Sequence, residues 1–173
     1  VNSVSGAANE EVYMQYAYGL DLNSSFSGSD NLYVGVEAGN ASEPLSLFLD
    51  SSVDVGAALT VTSLYYSFPL GDISFTAGPM LAADDVIAAT TSIYSEGVIA
   101  LSLPFSATGW TGPGIAAEYA PDSGIVASAS FVSLNGADSA VGINSDEGDD
   151  VTTLSLGYNS DSGFGGGLVY VSS

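Results

Sequence analysis

The chain alternates between large apolar and small or polar residues, with a period of two. In EEVYMQYAYGLDLNSSF, Val12, Met14, Tyr16, Tyr18, Leu20 and Leu22 occupy one parity, and Gln15, Ala17, Gly19, Asp21 and Asn23 the other. NLYVGVEAGN sets Leu32, Val34, Val36 and Ala38 against Gly35, Glu37 and Gly39, and DISFTAG sets Ile73, Phe75 and Ala77 against Ser74, Thr76 and Gly78. TTLSLGYNS and GFGGGLVYVSS continue the pattern with Leu154, Leu156 and Tyr158, then Phe164, Leu168 and Tyr170. Successive side chains of a strand point to opposite faces, so each run predicts a strand with one apolar and one small, polar face. Further strands are expected at 45–50, 58–69, 97–103, 114–120 and 124–134. Within 58–69 the apolar phase slips from Leu59 and Val61 to Leu64, Tyr66 and Phe68, which predicts a bulge near Thr62–Ser63. Helical periodicity is confined to ADDVIAATT, where a short helix is expected over 83–91. About ten closely spaced strands predict an all-β fold, an antiparallel sandwich or barrel.

Composition narrows the chemistry. The 173 residues include no Lys, Arg or His against 20 Asp plus Glu, for a formal net charge of −20. A chain without cations cannot neutralise phosphates, so nucleic-acid binding is excluded as an expectation. Arginine clamps, lysine Schiff bases, histidine bases and Ser-His-Asp arrangements have no residues to build them. Without Cys or His, zinc and iron–sulfur sites lack their ordinary ligands, and only hard oxygen-ligated ions such as calcium have ligands here. The residues are nonetheless 46% hydrophobic, with ten Tyr and seven Phe, enough to fold rather than remain disordered. A single β domain over 1–173 is expected, with a flexible segment at 1–10 and a long acidic loop at 135–150. Because the chain opens at Val1, a processed or fragmentary N-terminus is expected. No apolar run is long enough for a transmembrane helix.

The second face of these strands decides between two architectures. A soluble sandwich would solvate it with charged side chains. Here it is mostly Gly, Ala, Ser and Thr, as on the inside of an outer-membrane barrel, whose outer face is apolar and girdled by aromatics. Tyr16, Tyr18, Tyr65, Tyr66, Tyr158 and Tyr170 are the girdle candidates. Asp21, Glu37 and Glu118 are the candidate acids of the polar, pore-lining face.

The stretch SLYYSFPLGDISFTAGPMLAADD, with its Pro-Leu-Gly-Asp corner and Gly-Pro stop, resembles the barrel region of cyanobacterial outer-membrane porins, the iron-uptake or carbohydrate type with an S-layer-homology domain. LDLNSSFSGSDNLYVGVEAGN is similar to that family's early strand, turn and return strand. ASASFVSLNGADSAVGINSDEG and TTLSLGYNSDSGFGGGLVYVSS are similar to its later strand, long loop and hairpin. The resemblance covers most of the chain from about residue 12 and corresponds to about the first half of the family's barrel. Those porins are basic where this chain has Gly28-Ser29-Asp30, and carry arginines where it has Tyr33 and Gly35. The resemblance implies an outer-membrane or cell-surface protein for passive passage of small solutes or ions, and a lumen with acids and no bases would favour cations. Half a barrel leaves two open edges. Homo-oligomerisation, or further chains completing the sheet, is therefore expected.

Other candidates remain beside that reading. Asp146, Glu147, Asp149 and Asp150 form an acidic loop that could take calcium, although their spacing does not fit the twelve-residue calcium loop. Asp84–Asp85 is a second candidate pair, or a complement to a helix N-terminus. Trp110, in TGWTGPG, is a candidate sugar platform, interface anchor or packed loop aromatic. Glu37 and Glu118 are not placed as a catalytic pair by any motif, and no enzymatic role is expected. The alternative function is structural: a secreted acidic β-protein that self-assembles, with or without calcium, into a filament, tube or surface layer.

Overall fold

The computed structural model describes residues 14–40, 54–89, 110–159 and 165–173. These form eight strands: β1 (Ala17–Ser24), β2 (Asn31–Asn40), β3 (Asp54–Leu70), β4 (Ile73–Ala82), β5 (Thr111–Tyr119), β6 (Ile125–Ser133), β7 (Asp150–Asn159) and β8 (Gly165–Ser172). They make one sheet in strict sequence order, every pair antiparallel. Among the described residues the sheet is not closed into a barrel: β1 bonds only to β2, and β8 only to β7. The strands expected at 45–50 and 97–103, and the segment 1–10, lie outside the described residues.

The alternation translates directly into register. Tyr18, Leu20 and Leu22 stand opposite Ala38, Val36 and Val34, and across β3 Val36 meets Val61, Val34 meets Leu64 and Leu32 meets Tyr66. The phase slip in β3 is a bulge: Gly35 pairs with Ser63 but Val36 with Val61, so Thr62 is the extra residue. The bulge keeps both halves of the 17-residue strand presenting apolar groups to one face. The Pro69-Leu70-Gly71-Asp72 corner is a two-residue hairpin between the Leu70–Ile73 pair. Gly71 takes φ 67° at its first position, a conformation that costs a glycine little.

The helix expected at 83–91 is a single 3-10 turn, Asp84–Val86. Ile87 leaves helical dihedrals at φ −98°, ψ 102°. The next amide, on Ala88, donates to the Ser128 hydroxyl at 3.1 Å instead of continuing a helix. Contact with the sheet overrides local helical preference. Residues 90 and 91 fall outside the described residues.

Connections alternate between the two ends of the sheet. Of the described links, 25–30, 71–72 and 120–124 are short and lie at one end, and 134–149 is long and lies at the other, where the strap 83–89 also leaves β4.

Candidate functional site

The two faces of the sheet are built from alternate residues of the same strands, and their burial is opposite to that of a soluble sandwich. On one face, here called outer, Leu20, Leu22, Phe68, Ile73, Ile115, Leu154, Leu156, Leu168 and Tyr170 are all exposed, Leu168 to 77%. On the inner face Thr76, Ser128, Ser130, Thr153 and Ser155 are buried.

What covers the inner face is the segment after β4. Residues 83–89 leave the long-loop end of β4 and cross the sheet as a strap towards β8. Their root is closed by the Ala83 amide donating to the Trp110 carbonyl at 2.9 Å, and the half-buried Trp110 sits where the loop returns. Val86 and Ala83 pack on Leu81, Ala116 and Val132, with Tyr65 against them. This small core lies between strap and sheet. Further along, the Ser128 hydroxyl accepts from Ala88 and shares a 2.6 Å hydrogen bond with Ser155. At the far end Ala89 rests on two glycines. A Cβ on Gly167 would stand 2.7 Å from the Ala89 carbonyl oxygen, and one on Gly157 3.0 Å from the Ala89 Cβ. The small residues of β6, β7 and β8 thus form the track on which the strap lies.

Where the strap begins, acids gather. Tyr33, Glu37, Thr62, Ser63, Asp84 and Asp85 line a polar cleft of about 340 Å³ between β2, β3 and the strap. The Tyr33 hydroxyl donates to Asp21 Oδ1 at 2.6 Å, the Tyr65 hydroxyl donates to Asp85 Oδ2 at 3.0 Å, and the two rings stack at 4.9 Å. Burial, with the neighbouring charge of Asp84, pushes the Asp85 carboxyl above its ordinary value, and the Tyr65 hydrogen bond only partly opposes this. Glu37 lines this cleft, and Asp21 lies beside it as the acceptor of the Tyr33 hydroxyl. Glu118 also lies on the inner face but at the short-turn end, where it lines a separate hollow with Asp72 and Asp122. Tyr65 is on the inner face, not in an outer girdle. It neighbours Tyr66 in the strand, so the two side chains must point opposite ways.

The outer face carries its aromatics in a row at the short-turn rim. Phe26, Tyr66, Phe68 and Phe75 follow one another with ring centroids 6.2, 5.9 and 5.9 Å apart. Tyr119 and Tyr158 continue the rim on β5 and β7. Tyr16, Tyr18 and Tyr170 lie towards the opposite end. Asp30 ties the rim to the first turn. Its carboxylate accepts from the Ser25 hydroxyl at 2.6 Å, from the amide and hydroxyl of Ser27 at 2.7 Å each, and from the Tyr66 hydroxyl. These donors, Ser25 foremost, hold Asp30 well below the usual carboxylate range.

The acidic loop behaves differently. Asp146, Glu147 and Asp149 are exposed and Asp150 is half-buried. Among the described residues no three acids come together as a group that could hold a metal ion. No helix among them is long and apolar enough to cross a membrane, which says nothing of strands. No family model, curated protein or solved structure matches the chain.

Proposed function

We propose that this sheet is part of the wall of an outer-membrane pore of the porin type, passing small solutes and favouring cations. The observation that carries the reading is the exposed row of large apolar side chains on the outer face, Leu20, Leu22, Phe68, Ile115, Leu154, Leu156 and Leu168 among them, backed by an inner face on which Thr76, Ser128, Ser130, Thr153 and Ser155 are buried beside Leu81, Val126, Val132 and Val151. Monomeric soluble proteins rarely leave apolar patches beyond a few hundred Å² open to water. A bilayer is the solvent that matches such a face, with aromatics at its two interfaces. The described links 25–30, 71–72 and 120–124 are short and lie at one end while 134–149 is long and lies at the other, an arrangement that suits an outer-membrane barrel. The strap narrows the polar side. Glu37, Asp84 and Asp85 line the cleft that remains, with Asp21 behind Tyr33, and acids without bases favour cations.

Reversal potentials in a planar bilayer under a salt gradient test this. Cation preference that weakens in the Asp84→Asn/Asp85→Asn variant is expected. Anion preference, or no conductance, would overturn the reading.

The two open edges favour a second reading, a secreted acidic β-protein that polymerises edge to edge into a filament, tube or surface layer. Detergent separates the two. A pore requires it and stays as small particles, whereas an assembling subunit forms large polymers in its absence.

A further inference from the structure

We infer that the base of the acidic loop, where Ser133, Ser145 and Asp150 meet, is a site for a single calcium ion. The inference stands whether or not the sheet lines a pore.

Of the four acids of the loop only Asp150 is half-buried, while Asp146, Glu147 and Asp149 are exposed. Three side-chain oxygens at this end of β6 and β7 are buried without a hydrogen-bond partner: Ser133 Oγ, Ser145 Oγ and Asp150 Oδ1. Ser133 is fully buried. It stands opposite Asp150 in the β6–β7 ladder, and such residues share a face with Cβ atoms about 4.5–5.5 Å apart. The loop closes over Ser133: a Cβ on Gly136 would stand 2.6 Å from Ser133 Oγ and 2.8 Å from Ile143 Cγ1.

The returning end of the loop adds further oxygens. The Asp149 carbonyl accepts from the Leu134 amide at 2.9 Å, and the Asp149 amide donates to Asn135 Oδ1 at 3.0 Å, which fixes the neck. Just before it, the Gly148 amide donates to the Ser145 carbonyl at 3.0 Å and closes a turn. The place that a Cβ would take on Gly148 has three oxygens as its nearest atoms. They are Ser145 Oγ at 3.2 Å, the Ser145 carbonyl at 3.3 Å and Asp150 Oδ2 at 3.4 Å. Asp150 thus neighbours both Ser133 and the Ser145 turn.

Buried polar atoms are almost always paired, and an unpaired one calls for a cause such as an ion. Water completes a serine hydroxyl, but a carboxylate oxygen taken out of solvent needs a positive partner. The chain has no Lys, Arg or His to supply one. Carboxylate, hydroxyl and carbonyl oxygens are hard ligands. Calcium accepts an irregular set of about six to eight of them at about 2.3–2.6 Å, water included, whereas magnesium demands a near-ideal octahedron. A single carboxylate sets the affinity at the weak end of calcium sites, about 10⁻⁴–10⁻³ M.

Calcium chloride titrated into the 173-residue chain in detergent, followed by calorimetry, tests this. About 0.15 M salt screens the field of the exposed acids beyond about 8 Å. Gly148→Ala fills the space between the three oxygens yet keeps every ligand and the net charge. One ion per chain is expected, bound about tenfold or more weakly by Gly148→Ala and by Asp150→Asn. Asp149→Asn removes an equal charge from an exposed position and should bind as the parent does. Amide hydrogen exchange across 134–150 should slow with calcium in the parent and in Asp149→Asn, but not in Gly148→Ala. Only variants with β-sheet circular dichroism are scored, and any one of Gly148→Ala, Asp150→Asn and Ser133→Ala suffices. No saturable binding by the parent at about 10 mM calcium, well above that range, overturns the inference. So does parent-like affinity in Gly148→Ala with equal weakening by Asp149→Asn and Asp150→Asn, the pattern of an adventitious ion only.

Discussion

The two faces of this sheet use the same backbone and the same hydrogen bonds, yet meet opposite surroundings. At Thr153 and Leu154 the contrast is one residue apart: Leu154, in the outer row, is exposed, and Thr153, in the inner row, is buried. Under the strap the inner face buries Ser128, Thr153 and Ser155 although they are polar, because these side chains are small enough for the strap to approach within hydrogen-bonding distance. The outer face is exposed although it is apolar, because nothing in the described residues covers it. Burial here follows shape on one side and awaits a non-aqueous partner on the other. The usual equation of apolar with interior holds under the strap, where Leu81, Ala83, Val86, Ala116 and Val132 form a small cluster and Ile87, Val126 and Val151 are buried too.

The largest test of that contrast is a pair of arginines. Leu168→Arg should cost about 2–4 kcal/mol of folding stability in liposomes, and less as the site nears the interface. Val169→Arg, on the polar side, should stay within about 0.5 kcal/mol. Denaturant titration followed by tryptophan fluorescence reads both, and equal costs would break the distinction between the faces.

Next come the glycines. Gly167→Ala drives a methyl into Ala89 and should destabilise by about 1–3 kcal/mol. Gly166 has no atom within 4 Å of a added Cβ and belongs to the outer row. Gly166→Ala should be neutral or stabilising by about 0.4–1 kcal/mol. Limited proteolysis within 83–89 should accelerate in the first variant only. Equal rates would mean that the strap is not held by its track.

The smallest effect is a difference in titration. Asp85 on the inner side has a raised pKa, so its ionisation opposes folding, and its contribution is full in acid and lost as pH rises through its folded value. Asp30 at the outer rim has a lowered one. Its contribution is full above the unfolded carboxylate value and lost as pH falls through its folded value. Carboxyl-carbon NMR should therefore show Asp85 taking its proton first on acidification and Asp30 last. The reverse order would show that the burial of Asp85, or the donors around Asp30, do not persist in solution.

Much of the architecture is legible in the sequence because a strand advertises itself locally. The alternation around Leu20, Val34, Phe75 and Leu156 marks each strand and its faces, and the slip from Val61 to Leu64 marks the bulge. The strap is not legible in that way. Ala88 meets Ser128, and Ala89 meets Gly157 and Gly167, across separations at which no periodicity survives. ADDVIAATT reads as helical because its preferences are local and the sheet that overrides them is not. The inner acids were half legible: strand parity puts Asp21, Glu37 and Glu118 on one face. It cannot say that Glu118 lies at the other end of the sheet, or that Asp84 and Asp85 join the first two. Tyr33 and Tyr65 were hidden because large rings on a face of small residues break the very pattern that defines it.

The track beneath the strap also partitions the freedom of this protein to diverge. On β6 to β8 an added methyl at Gly157 or Gly167 meets the strap, so drift there is confined to the smallest residues. Across the same face, Asp21 on β1 is exposed and Glu37 on β2 only half-buried, and neither supports the strap. One half of the inner surface is thus frozen in size while the other can change its charge by single steps, so lineages of this fold could acquire new ionic preferences without rebuilding the interior that shapes them.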